Sequence, residues 1–95
     1  KKFNKLIMKN KAFKIEVIES EKGWGRKTDD YMVCLSKEDC LEHKKEFNSK
    51  NTDTITPDWY MAVEGDPIQI EVNDNQYKIL EKDKKVYISH LNKIS

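Results

Sequence analysis

The stretch from Pro57 to Val72 reads Pro-Asp-Trp-Tyr-Met-Ala-Val-Glu-Gly-Asp-Pro-Ile-Gln-Ile-Glu-Val and is the densest apolar segment of the chain. It constrains the fold more than any other stretch. In an extended segment successive side chains point to opposite faces, so Trp59, Met61 and Val63 share one face. Ile68, Ile70 and Val72 alternate with Gln69 and Glu71 in the same way. Gly65-Asp66-Pro67 lies between the two runs. Gly admits positive φ and Pro fixes φ near −65°, which is turn chemistry. The expectation is two adjacent antiparallel strands forming the middle of a small sheet.

Such a sheet must be thinly covered. Ninety-five residues make one domain, and only 37% of them are hydrophobic, equal to the charged fraction. A chain of this length buries roughly 60–65% of its extended surface. Net charge is +1, yet the charges are segregated. Residues 1–14 carry six lysines and no acid, and residues 51–77 carry six acids and no base. Residues 15–50 balance seven bases against nine acids, and residues 78–95 carry five bases and two acids. A basic N-terminal arm, 1–11, preceding a single domain, 12–95, is the expected organisation. No apolar run approaches the ~20 residues of a membrane span, and no secretory apolar core is present. Cys34 and Cys40 are the two cysteines. The expectation is a cytoplasmic protein with reduced thiols and no membrane partner.

Along the chain, Phe13, Ile15 and Val17 alternate with Lys14 and Glu16, predicting a half-buried strand over 12–20. Residues 21–30 read as a ten-residue loop, rich in glycine and charge. Tyr31, Val33 and Leu35 resume the alternation, with Met32 and Cys34 on the other face, predicting a strand buried on both sides. Ser36-Lys37-Glu38-Asp39 is a variant of the capping box and predicts a helix over 37–49. Its two early acids suit the positive end of the helix dipole. Cys40, Leu41, Lys44 and Phe47 form its narrow apolar stripe. A polar loop, 50–57, precedes the central strands. Asn73-Asp74-Asn75-Gln76 reads as a turn, Tyr77–Leu80 as a strand, residues 81–85 as a turn and Val86–Ser89 as the last strand. The predicted fold is α+β, in the order β-β-α-β-β-β-β, with one helix packed on one face of an antiparallel sheet.

Candidate chemistry is sparse. Cys34, Cys40, His43 and His90 are the soft or imidazole ligands, but they contain no Cys-x-x-Cys and no His pair, so no metal is expected. A Cys40–His43 nucleophilic pair would require an electropositive pocket, whereas Glu38, Asp39 and Glu42 surround it. The carboxylate pairs Asp29-Asp30 and Glu38-Asp39 lie in polar settings that would not raise a pKa. No Gly-rich phosphate loop exists. The expectation is a protein without catalytic residues or cofactors.

Gly23-Trp24-Gly25-Arg26-Lys27 is the most unusual motif. Either Trp24 folds back over the sheet as a lid, or it is an exposed anchor. Trp and Arg dominate interface hot spots, so Trp24, Arg26 and Lys27 are the candidate partner-binding residues. On a protein Trp24 would fill a pocket. On single-stranded nucleic acid it would stack on a base while Arg26 and Lys27 hold phosphate.

Three motifs together carry a resemblance. They are Gly23-Trp24-Gly25 with Asp29-Asp30, the capped helix ending Phe47-Asn48-Ser49-Lys50-Asn51, and Pro57-Asp58-Trp59-Tyr60-Met61-Ala62. Over residues 13–63, and in its Lys-, Asn- and Ile-rich composition, the chain resembles small accessory proteins of T-even bacteriophages. That resemblance implies a non-enzymatic protein that binds and disables a host factor such as a restriction nuclease or a toxin. It assigns no site residue. Host-factor binding through protein contact is therefore the leading expectation. The alternative is an RNA-binding module using the basic ends and the aromatics.

Overall fold

The computed structural model describes residues 10–21, 23–50 and 59–95. Most of the expected basic arm, residues 1–9, and most of the polar loop, residues 51–57, lie outside them. Among the described residues seven elements follow one another: β1 (Lys11–Glu21), β2 (Gly25–Cys34), α1 (Lys37–Asn48), β3 (Trp59–Glu71), α2 (Asp74–Asp83), β4 (Val86–Tyr87) and α3 (Ile88–Leu91). The strands form one antiparallel sheet in the order β3-β1-β2-β4. The class is α+β, as the alternating strand patterns and the capped helix predict.

The order differs from the expected one in ways that have physical causes. Residues 59–71 are one strand at a sheet edge, not two strands in its middle. Gly65, at φ 83°, and its neighbours make an irregularity instead of a hairpin turn. Lys14 pairs with Ile68 and Glu16 with Glu64, so residues 65–67 are absorbed opposite Ile15 alone. Pro67 donates no backbone hydrogen bond and is tolerated at such a break in the ladder.

Residues 73–83 are likewise a helix start and helix, not a turn and a strand. The Asn73 side chain accepts the Gln76 N–H at 2.7 Å, and Gln76 Oε1 accepts the Asn73 N–H at 2.9 Å. This reciprocal capping box satisfies two donors that a helix start otherwise leaves unpaired. The helix stops where Lys84 adopts φ 70° and donates its N–H to the Leu80 carbonyl at 2.9 Å. The expected strand over 86–89 keeps two strand residues before turning into α3.

Alternation along β1 and β2 separates two cores, one on each face of the sheet. Ile15, Val17, Met32, Cys34 and Val63 pack with Cys40 of α1, flanked by Phe13, Phe47 and Met61. On the opposite face Ala12, Val33 and Val72 pack with Leu80, Val86 and Leu91, flanked by Tyr77 and Ile88 among others. Helical cover on both faces replaces the single helix on one face. The second face is covered because α2 and α3 carry the apolar residues assigned to the last strands.

Helix α1 begins as its sequence predicts, with Ser36 Oγ accepting the Asp39 N–H at 3.0 Å. Leu41, expected in its buried stripe, is instead exposed. One residue beyond Cys40 is about 100° around the helix, away from the sheet. At its other end Asn48 binds the β3 backbone. Its Nδ2 donates to the Val63 carbonyl and its Oδ1 accepts the Val63 N–H, both at 2.8 Å. Lys44 Nζ adds a bond to the Gly65 carbonyl at 3.0 Å. These backbone groups point away from β1, so Asn48 stands in for a neighbouring strand and closes part of an exposed edge.

Candidate functional site

Residues 21–30, expected to be a loop, are mostly hairpin. Glu19 pairs with Lys27, Ser20 with Arg26 and Glu21 with Gly25, leaving three residues between the strands. Lys27, Thr28 and Asp29 do not alternate in hydropathy, so sequence pattern gives no strand signal there. The ladder is imposed by β1. One irregularity interrupts it between Val17 and Ile18, where Asp29 is the extra residue on β2. Asp30, beside it, accepts the Ser89 hydroxyl at 2.6 Å and the Ser89 N–H at 3.2 Å. That carboxylate ties α3 to β2.

Trp24 sits at the turn. Its N–H donates to the Glu21 carbonyl at 2.9 Å. Gly23 and Gly25 flank it at φ 87° and 89°, a backbone region that other residues enter at a cost. The indole is not a lid on the sheet, since Trp24 is 83% exposed, the most of any large apolar residue among those described. A tryptophan held in water by a defined turn is unusual, because burial of such a ring is worth several kcal/mol.

Arg26 and Lys27 follow Trp24 but diverge from each other, since neighbours on a strand face opposite ways. Arg26, the single arginine of the chain, forms an ion pair with Glu64 across β1 on one face. Lys27 Nζ lies 3.4 Å from Glu19 on the other face. The two charged groups therefore engage different partners, and each has an acid beside it.

Beside the tip, Glu16, Ile18, Arg26, Lys27, Thr28 and Glu64 line an open depression of about 210 Å³. Glu16 and Glu64 are directly opposed in the ladder, a pairing of like charges that would be destabilising alone. Arg26 neutralises one of them, and the Thr28 hydroxyl donates to the other. Lys14 Nζ stands 4.4 Å from the centre of the Tyr31 ring on the same face. The sequence contains these residues but not their proximity, which depends on the two irregularities in register.

Among the described residues, no group of three or more His, Cys, Asp or Glu side chains could hold a metal ion, and no helix is long and apolar enough to cross a membrane. Cys40 lies in the core and His43 pairs with Glu46 at 3.3 Å, so the two do not form a shared centre. Compared with protein families, with curated proteins and with solved structures, the chain matches none.

Proposed function

We propose that this chain is a small non-enzymatic binding protein and that the tip of the β1–β2 hairpin is its partner-binding surface, with Trp24 as the anchor. The observation that carries the reading is the 83% exposure of Trp24 in a turn built by two positive-φ glycines. An exposed indole on a stiff support offers a partner pocket large apolar area at small entropic cost.

A protein partner fits this tip better than nucleic acid does. Phosphate binding needs uncompensated cations on one face. Arg26 and Lys27 lie on opposite faces, beside Glu64 and Glu19 respectively. The resemblance to T-even phage accessory proteins supplies the partner class: a host defence nuclease or toxin, met in the host cytoplasm and disabled by contact.

The test is capture from a nuclease-treated bacterial lysate by wild-type protein and by Trp24→Ala. A protein retained by wild type and lost with Trp24→Ala supports the reading. Equal retention by both contradicts it. Capture that disappears on nuclease treatment, with a steep fall of affinity in salt, would return the RNA-binding alternative.

A further inference from the structure

We propose that the outer edge of β3 from Pro67 to Glu71 is a self-association surface, which pairs antiparallel with the same segment of a second copy of this chain. This is the end of β3 that pairs with Lys11, not the end that pairs with Glu21 beside the hairpin turn. The proposal is independent of the reading above.

Backbone direction alternates along a strand, and one bond sets the phase here. The Val72 N–H donates to the Asn10 carbonyl at 3.0 Å, so residue 72 turns toward the β1 side. Ile70 and Ile68 turn the same way, paired with Ala12 and Lys14. Glu71, Gln69 and Pro67 therefore direct their backbone groups outward. Val63 does so too, but Asn48 occupies it, and Lys44 occupies the nearby Gly65 carbonyl. The stretch beyond is open. Among the described residues no strand pairs with β3 on that side, and Asp66, Ile68, Gln69 and Glu71 are exposed. Ile68 is 55% exposed, second only to Trp24 among the large apolar residues described. An open edge carrying an exposed isoleucine is a template for another strand.

The segment is complementary to itself. A two-fold axis at Gln69 lets each Gln69 N–H donate to the Gln69 carbonyl of the other copy. Pro67 then lies opposite Glu71 of the second copy. Pro67 has no N–H to give, but its carbonyl accepts the facing Glu71 N–H. Ile68 lies opposite Ile70 of the second copy, which covers the exposed apolar side chain. Charge agrees as well. Gln69 pairs with Phe13 and Glu71 with Lys11, which puts Glu71 on the face that α1 covers. From its place opposite Pro67, the Glu71 carboxylate of the second copy is two residues, ~7 Å along the strand, from Gly65. There Lys44 Nζ is held 3.0 Å from the Gly65 carbonyl, within reach of that carboxylate. The two-fold axis makes this Lys44–Glu71 pair twice. An axis at Pro67 would lose both central donors, and one at Glu71 would oppose two carboxylates. Five residues per copy bury less than about 1,200 Å², so the dimer is weak and reversible.

The experiment records sedimentation equilibrium and residue-resolved amide exchange on the full chain from about 10 µM to about 1 mM. The expected result is monomer at the lower end and a dimer, with no larger species, at the upper. The Gln69 and Glu71 amides should exchange more slowly at the upper concentration. The Ile68 and Ile70 amides, turned toward β1, should be protected at both. Ile68→Lys, which places a charge on the open edge, should stay monomeric throughout. Lys44→Glu or Glu71→Lys alone should weaken association about tenfold, and the double reversal should restore it. A wild-type chain that is monomeric across the range would overturn the proposal. So would a dimer whose Gln69 and Glu71 amides exchange alike at both concentrations, since its contact would lie elsewhere. Exchange in wild type decides the matter even where a variant folds poorly.

Discussion

The two ends of the β1–β2 hairpin share one backbone ladder and differ in almost everything else. At the base, Ala12, Ile15, Met32, Val33 and Cys34 are fully buried, covered by α1 on one face and by α2 and α3 on the other. At the tip, Gly23 through Asp29 are all exposed, and ion pairs take the place of a core. Stability in a small domain comes mainly from buried apolar area, so the base carries the fold. The tip is left free of that duty. The same strands thus supply a rigid support and, at their far end, a surface whose sequence is not set by packing.

This contrast predicts a gradient of mutational effects. Ile15→Ala removes a fully buried side chain from the cluster under α1. It should cost about 2–5 kcal/mol, a large part of the stability of a domain this size, and is read from the urea midpoint. A change below about 1 kcal/mol would dissolve the distinction between base and tip.

Next comes the plug on the β3 edge. Asn48→Ala leaves the Val63 N–H and C=O without their side-chain partner and should cost about 1–3 kcal/mol. Asn48→Asp retains an acceptor for the N–H but no donor for the carbonyl. It should fall between wild type and Asn48→Ala. Hydrogen exchange at the Val63 amide should accelerate in Asn48→Ala, and unchanged protection would show that Asn48 does not guard this edge.

Ser36→Ala removes the acceptor for the Asp39 N–H and should cost about 1 kcal/mol by thermal or urea unfolding. At the tip, Arg26→Ala should cost less than about 1 kcal/mol. Arg26 and Glu64 are 51% and 42% exposed, and solvent screens their attraction. That small loss should shrink further in added salt. A loss that exceeds the effect of Ser36→Ala would mean the tip is a structural element.

Local signals were legible in the sequence wherever local chemistry decides. Alternation over Phe13–Val17 placed β1, and the Ser36 cap placed the start of α1 with its bond to Asp39. The second half of the chain was harder to read. Tyr77-Lys78-Ile79-Leu80 is too short to separate a strand from one turn of helix by periodicity. Asn73 with Gln76 three residues later carries the capping-box signal, but the same residue types also suit a turn. Gly65-Asp66-Pro67 is compatible with a turn or a break within one strand, and pairing with β1 selects the latter. The Trp24 motif stood out in the sequence, but its exposure did not. Whether an indole folds back depends on how far the flanking strands extend, and Arg26-Lys27-Thr28-Asp29 conceals that extension.

The central claim is that Trp24 serves binding and not folding, and one paired measurement addresses it directly. Trp24→Ala is compared with wild type for urea stability and for affinity to the captured partner. The account predicts a stability change within about 0.5 kcal/mol and an affinity loss of about 2 kcal/mol or more, roughly 30-fold. Loss of stability comparable to that of Ile15→Ala, or full affinity without the indole, would contradict it.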